Sequence, residues 1–139
     1  VGRYRYPNAD RLLVLADGGG SNASRNRAWK VNLQEKMCDR HRICVTVSHY
    51  PTGASKWNPV EHRLFSEISK NWAGRPLDSY DTILNYIRTT RTAAGLSVKA
   101  YFVGKAYETG IKISDEQMAE LSLHPHEIQP RRNYTLEPR

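Results

Sequence analysis

The chain has 139 residues, enough for one domain or part of one, and 39% of them are hydrophobic. Lysine and arginine number 21 against 14 acids, so the net charge of +7 favours a polyanionic partner, nucleic acid first, over simple solubility. The sequence holds no apolar run long enough to span a membrane and no signal-peptide pattern. Its two isolated cysteines, Cys38 and Cys44, predict a reducing cytosol and no zinc site.

The first predicted element is a buried strand over residues 12–16, a continuous apolar run that ends at Asp17. A carboxylate at the carboxyl end of a buried strand is where open α/β sheets place their chemistry. The glycine loop that follows, residues 17–22, matches neither the dinucleotide-binding nor the Walker A pattern, so nucleotide binding is weakly supported. Because the chain begins with Val1 and reaches this strand almost at once, we expect a fragment of a longer protein.

A helix over residues 24–40 and a strand over residues 43–47 come next. Trp29, Leu33 and Met37 recur every fourth residue and predict the buried face of the helix. A strand, a helix and a strand at this spacing predict a right-handed βαβ unit with parallel strands. The early helical turns carry three cations, namely Arg25, Arg27 and Lys30. Cations are slightly unfavourable at this end of the helix dipole, so either a bound anion or a plain solvated face accounts for them.

The next loop runs directly into a helix. Asn58 is a good N-cap, Pro59 suits the first helical position, and Glu61 stands at the acidic position of a capping box. Glu61 therefore either caps the helix or reaches into a metal site, and His49 and His62, which flank the loop, are either ligands or bases or ordinary structural residues. Apolar residues predict one buried helix face, formed by Val60, Leu64, Phe65, Ile68 and Trp72.

The elements beyond residue 74 are shorter. They are a helix capped by Ser79 and ended by Gly95, strands over residues 97–103 and 107–113, and a helix opened by the capping box at Ser114 that runs to residue 123. Residues 124–139 are rich in histidine, proline and arginine, and we expect them to wrap the surface as a tail.

Asp17 and Glu61 each stand at the end of an element in a basic protein, an arrangement that suits a divalent metal ion. Mg²⁺ prefers hard oxygen ligands and usually takes only a few protein carboxylates, with water and phosphate oxygens filling the other positions. Two-metal phosphoryl transfer asks for a third carboxylate. No other Asp or Glu stands at an equally suggestive strand end, so these two acids alone would hold one ion loosely.

Two blocks of residues carry a more specific signal. The first reads LVLADGGGSN over residues 13–22, and the second reads SKWN over residues 55–58 and EHRLFS over residues 61–66. Together with matches that continue to Asn133 and Tyr134, they resemble the DDE transposases of the ISAzo-type insertion sequences, the family of the Rhodopirellula transposase DDE domain. The loop at residues 51–54 reads PTGA where that family usually has PPGT, a change that leaves both acids untouched.

The resemblance implies an RNase H-like, retroviral integrase-type α/β fold, with a parallel βαβ unit and added C-terminal helices and strands. Residues 1–123 would be a partial catalytic domain that lacks the first strands, and residues 124–139 a C-terminal tail. By motif, Asp17 matches the second catalytic, metal-binding acid of the family and Glu61 the third. The first acid would lie upstream, so this chain alone is expected to be inactive.

The implied activity is cleavage and strand transfer of DNA with Mg²⁺ or Mn²⁺ as cofactor. The partners would be transposon ends and target DNA, with a homo-oligomer on DNA and a nucleoid-associated, cytoplasmic location in a bacterium. The candidate phosphate contacts are Lys56, Asn58, Arg25 and Lys30. Two alternatives stay open: a catalytically inactive DNA-binding remnant of a transposase, and a host nuclease with an RNase H-like fold.

Overall fold

The computed structural model describes residues 2–51 and 53–139. The chain divides into two compact units, of which the first is Val1–Ser55 with Glu108–Arg139 and the second is Lys56–Tyr107. None of the helices in the described ranges has the length and apolar character that a membrane span requires.

The first unit is built on a mixed four-stranded sheet. Its strands are β1 (Arg11–Ala16), β2 (Cys44–His49), β3 (Leu123–Pro125) and β4 (Asn133–Leu136), in the order β1-β2-β4-β3. β1 and β2 are parallel, whereas β4 pairs antiparallel with both β2 and β3. The α/β class, the first two predicted strands and their parallel pairing are therefore confirmed. The predicted burial of β1 was wrong on one face, because Leu13 and Leu15 are 60% and 43% exposed.

Three α-helical segments of the described chain belong to this unit. They are the single turn α1 (Gly2–Arg5), then α2 (Arg27–Leu33) with its π-helical continuation Gln34–Asp39, and α5 (Asp115–Ala119). Asn26 is the N-cap of α2, and its side chain accepts a hydrogen bond from the Trp29 amide, so the helix starts at Arg27, three residues later than expected. The buried face is confirmed, because Leu33 lies in the core and Trp29 and Met37 pack against it.

A buried glutamine ties α2 to the C-terminal strands. The Gln34 amide nitrogen donates to the Asp39 carboxylate and to the Glu137 carbonyl oxygen, at 2.8 and 2.7 Å. Its oxygen accepts from the Ser122 amide at 3.1 Å. Because a buried amide without partners would cost about 1–3 kcal/mol, this set of bonds fixes where the C-terminal segment docks.

The prediction of a surface tail over residues 124–139 was wrong. Residues 123–125 and 133–136 form β3 and β4, and Tyr134 and Leu136 are only 1% and 0% exposed. The hydroxyl groups of Thr46 and Thr135 also lie 2.9 Å apart across β2 and β4. The C-terminal segment thus supplies two of the largest side chains in the core.

The second unit contains α3 (Pro59–Trp72) and α4 (Tyr80–Thr89), preceded by a 3₁₀ turn at Ser55–Trp57. The Asn71 side chain joins the helices by donating to the Tyr86 carbonyl oxygen at 2.7 Å. Ile68 is buried, but Val60 and Phe65 are 65% and 57% exposed, so the predicted burial of the whole α3 stripe was wrong at these two positions.

The predicted strands over residues 97–103 and 107–113 were also wrong. In the described part of this region the only ladder contact is one isolated bridge between Arg91 and Ser97. An apolar run forms a strand only where another strand is available to pair with it. Without such pairing, Tyr101, Phe102 and Tyr107 are exposed. The predicted capping box at Ser114 is confirmed, with Gln117 as its second member.

If β4 is part of the core, Leu136→Ala should lower the free energy of unfolding by about 2–5 kcal/mol through the cavity that it leaves. Ile128→Ala is the matched control in the same C-terminal segment, since Ile128 is 76% exposed. It should change stability by less than about 0.5 kcal/mol. Urea unfolding of both variants checks this, and equal effects would contradict the assignment of β4 to the core.

Candidate active site

Asp17 lies directly after β1, at the carboxyl end of the parallel strand pair. The pairing of β1 with β2 ends at the hydrogen bond that the Tyr50 amide donates to the Ala16 carbonyl oxygen, at 2.8 Å. One oxygen of the exposed Asp17 carboxylate accepts a hydrogen bond from the Gly19 amide at 2.5 Å. Within residues 2–51 and 53–139 the other oxygen has no hydrogen-bond or ion-pair partner, so it is free to bind a ligand.

The turn after Asp17 has a backbone conformation that favours glycine at position 20. A Cβ atom at Gly19 would lie 3.4 Å from the bonded carboxylate oxygen, and Gly20 has a positive φ of 67°. Glycine adopts this backbone conformation without strain, whereas other residues rarely do. The run of glycines therefore permits the tight return of the chain, through the 3₁₀ turn Gly20–Asn22, that keeps the Gly19 amide against the carboxylate.

His49 ends β2 and pairs in register with Ala16, next to Asp17. Its Nδ1 lies 3.2 Å from the Asp17 carbonyl oxygen, and its Nε2 lies 3.2 Å from the Tyr134 hydroxyl group. The Trp29 indole N–H donates to the same hydroxyl at 3.1 Å. The hydroxyl can then donate to Nε2, which leaves Nδ1–H to donate to the carbonyl oxygen of Asp17.

This pattern assigns His49 to the neutral, Nδ1-protonated form. Burial lowers the pKa of His49; the hydrogen bond with Asp17 acts in the opposite direction, and the cations Lys30 and Arg132 lower the pKa again. Burial also raises the pKa of Tyr134 to about 12, so its hydroxyl group stays protonated as a donor. With both ring nitrogens engaged, His49 has a structural role here rather than that of a ligand or base.

The three cations of the glycine loop and α2 have different surroundings. Lys30 is half-buried, with its ammonium group 5.0 Å from the centre of the Tyr134 ring, and burial together with Arg27 lowers its pKa. Arg27 forms an ion pair with Asp115 at 2.6 Å. Arg25 is exposed and, in the part of the chain that the structure describes, has no hydrogen-bond or ion-pair partner. The charge on Arg27 is thus matched by a carboxylate of the protein itself.

Glu61 and its neighbours belong to the second unit. The side-chain oxygen of the buried Asn58 caps α3 by accepting from the Val60 amide at 3.2 Å. The capping box predicted with Glu61 does not form, and among the described residues the exposed carboxylate of Glu61 has no hydrogen-bond or ion-pair partner. Nearby, the Lys56 ammonium group lies 5.3 Å from the centre of the Trp57 ring, and His62 is exposed.

A protein-family model described as the Rhodopirellula transposase DDE domain matches residues 1–138. The chain belongs to this family. The resemblance read from the two sequence blocks is therefore confirmed, and membership of this transposase family implies a function in transposition with DNA as the substrate. No curated protein and no solved structure matches the chain.

DDE transposases generally use divalent metal ions. Among the residues that the structure describes, one carboxylate oxygen of Asp17 and the carboxylate of Glu61 have no hydrogen-bond or ion-pair partner. Mg²⁺ is typically held in proteins by one or two carboxylates, with water and substrate phosphates completing its shell, so the donor chemistry of both acids fits. No cluster of three or more His, Cys, Asp or Glu side chains suited to a metal occurs within the described ranges.

Substitutions of Asn58, which caps α3, and of Glu61, which does not, should affect stability differently. Asn58→Ala should destabilise the second unit by about 0.5–2 kcal/mol, because it removes the cap of α3. Glu61→Gln should change metal-free stability by less than about 0.5 kcal/mol. Thermal unfolding by circular dichroism measures both, and a loss in Glu61→Gln as large as that in Asn58→Ala would mean that Glu61 is a structural cap.

Proposed function

We propose that this chain is part of the catalytic domain of a DDE transposase with an RNase H-like fold, and that Asp17 and Glu61 are two of its three metal-binding acids. The observation that carries the proposal is the position of Asp17 at the carboxyl end of β1, with one carboxylate oxygen oriented by Gly19 and the other without a partner among the described residues. The first acid of the triad would belong to a part of the transposase outside this chain.

The reaction that we propose is metal-dependent cleavage and joining of DNA phosphodiesters. A bound Mg²⁺ or Mn²⁺ ion would polarise the phosphodiester and promote attack by water or a 3′ hydroxyl group. Asp17 and Glu61 contribute ligand oxygens, and the Gly19 amide keeps the Asp17 carboxylate in one orientation. The neutral state of His49 avoids a positive charge beside a cation site, which would weaken metal binding.

Arg25 and Lys56 are the DNA-phosphate contacts that we propose first. Both side chains are exposed, and the chain carries a net charge of +7. Lys30 and Asn58 are weaker candidates, because Lys30 packs on the Tyr134 ring and Asn58 caps α3. Contacts of this kind position DNA and carry little sequence information.

Divalent metal should stabilise the folded chain through the two acids. At ten times its dissociation constant, Mn²⁺ should add about 1.4 kcal/mol to the free energy of unfolding. Asp17→Asn and Glu61→Gln should each reduce this gain. Asp10→Asn should keep it, since Asp10 is an exposed acid at the opposite end of β1.

Thermal unfolding of these four proteins with and without Mn²⁺ is the test of the proposed function. A full response in Asp17→Asn would show that the assignment of the metal-binding acids is wrong. DNA binding that persists in a protein without any metal response would support the alternative of an inactive DNA-binding remnant.

DNA binding should be mostly electrostatic, with the logarithm of affinity falling linearly with the logarithm of salt concentration. Arg25→Ala and Lys56→Ala should each reduce the slope by about 0.9, the value for one lost phosphate contact. Lys70→Ala removes the same charge from a lysine that is paired with Glu67 at 2.6 Å, and should leave the slope unchanged. Fluorescence anisotropy across a salt series measures all three, and equal slopes in every variant would exclude these contacts.

A further inference from the structure

A continuous chain of hydrogen bonds runs from the interior of the first unit to the backbone of Asp17. It starts at the Trp29 indole on α2, passes through the Tyr134 hydroxyl on β4 and ends at His49, whose Nδ1–H donates to the Asp17 carbonyl oxygen. His49 and Tyr134 are 5% and 1% exposed. Three different elements thus converge on the peptide at which β1 ends.

We propose that His49 and Tyr134 are positioning residues that hold the Asp17 backbone so that its carboxylate is ready to bind a divalent metal ion. The proposal rests on the proposed function of Asp17 as a metal-binding acid. Neither side chain touches the metal; both act through the main chain of Asp17. No role of this kind follows from the DDE motif, which concerns the acids alone.

The need for such support follows from the residues on either side of Asp17. The strand ladder stops at the Ala16 carbonyl oxygen, which accepts from the Tyr50 amide. Asp17 is then followed by three glycines, the residues with the greatest backbone freedom. The bond from His49 fixes the main chain of Asp17, and the bond from Gly19 fixes its carboxylate. Without the bond from His49, the bond from Gly19 would orient the carboxylate only relative to a mobile turn.

The Tyr134 hydroxyl determines which ring nitrogen of His49 carries the proton. Because it receives the indole N–H of Trp29, its own hydrogen points to Nε2 of His49, and the remaining proton of the imidazole lies on Nδ1. Removing the hydroxyl would leave Nε2 without a partner and allow the other tautomer, in which Nδ1 can no longer donate to the Asp17 carbonyl oxygen. A buried network of this kind loses more than one bond when a single member is removed.

The test uses two substitutions of His49 that differ in which ring nitrogen they replace. His49→Asn places an amide donor near the position of Nδ1 and can keep the bond to Asp17. His49→Gln reaches the position of Nε2 and can keep the contact with Tyr134 but not the bond to Asp17. Tyr134→Phe removes the hydroxyl and keeps the ring. Val45→Ala is the control, because Val45 is fully buried on the same strand and takes no part in the network.

The readout is Mn²⁺ affinity in the 139-residue chain, measured by paramagnetic broadening of the backbone amide signals of Gly18, Gly19 and Gly20 in NMR spectra. Chemical unfolding of each variant gives stability separately. Loss of the partners that orient a metal-binding residue typically weakens metal affinity 10–100-fold. We expect His49→Gln and Tyr134→Phe to weaken Mn²⁺ binding by about tenfold. His49→Asn should retain most of the affinity, and Val45→Ala should lose stability with unchanged affinity.

The outcomes separate this inference from the proposed function. Broadening that survives in Asp17→Asn would overturn the proposed function itself. Broadening that is lost in Asp17→Asn but unchanged in His49→Gln and Tyr134→Phe would overturn only the positioning role. An equal loss of affinity in Val45→Ala, or in His49→Asn and His49→Gln alike, would also overturn it, because the effect would then follow stability rather than the bond to Asp17.

Discussion

The first unit depends on β2 being paired along both edges. It accepts β1 in parallel on one side and β4 antiparallel on the other, and Val45 and Val47 are buried between these neighbours. The same double pairing sets the geometry around Asp17: the register of β1 and β2 places His49 opposite Ala16, and that of β2 and β4 brings Tyr134 to His49. If β4 were detached, β2 would become an open edge and His49 would lose the partner of its Nε2 atom.

The elements that were predicted correctly have local signals. The apolar runs of β1 and β2 and the four-residue spacing on α2 are properties of short segments that need no knowledge of distant contacts. β4 has no comparable signal, because Tyr134 and Leu136 are the only alternating apolar residues in a four-residue strand. Its burial comes from pairing with β2, across a sequence separation of 89 residues between Thr46 and Thr135. The segment over residues 97–103 shows the converse, since it forms no strand and its Tyr101, Phe102 and Val103 side chains are exposed.

The candidate site also has features that local sequence predicts and features that depend on distant residues. The position of Asp17 at a strand end and the return of Gly19 two residues later follow from the residues themselves. The state of His49 could not be predicted, because it depends on Tyr134, 85 residues away, and through Tyr134 on Trp29. At Glu61 the capping-box spacing is present, but Asn58 accepts from the Val60 amide instead, and within the described part of the chain the Glu61 carboxylate has no partner. Spacing alone does not decide between these two cap geometries.

We propose that Asp17 and Glu61 both bind divalent metal ions, and iron-mediated cleavage of the protein reports on each acid in a single experiment. Fe²⁺ substituted for Mg²⁺, with ascorbate and peroxide, produces hydroxyl radicals that cut the protein backbone close to the bound ion. We expect cuts beside Asp17 and beside Glu61 that fade as Mg²⁺ is added in excess, and the cuts beside Asp17 should disappear in Asp17→Asn. Cuts beside only one of the two acids, or cuts that Mg²⁺ does not suppress, would show that the two acids are not both metal ligands.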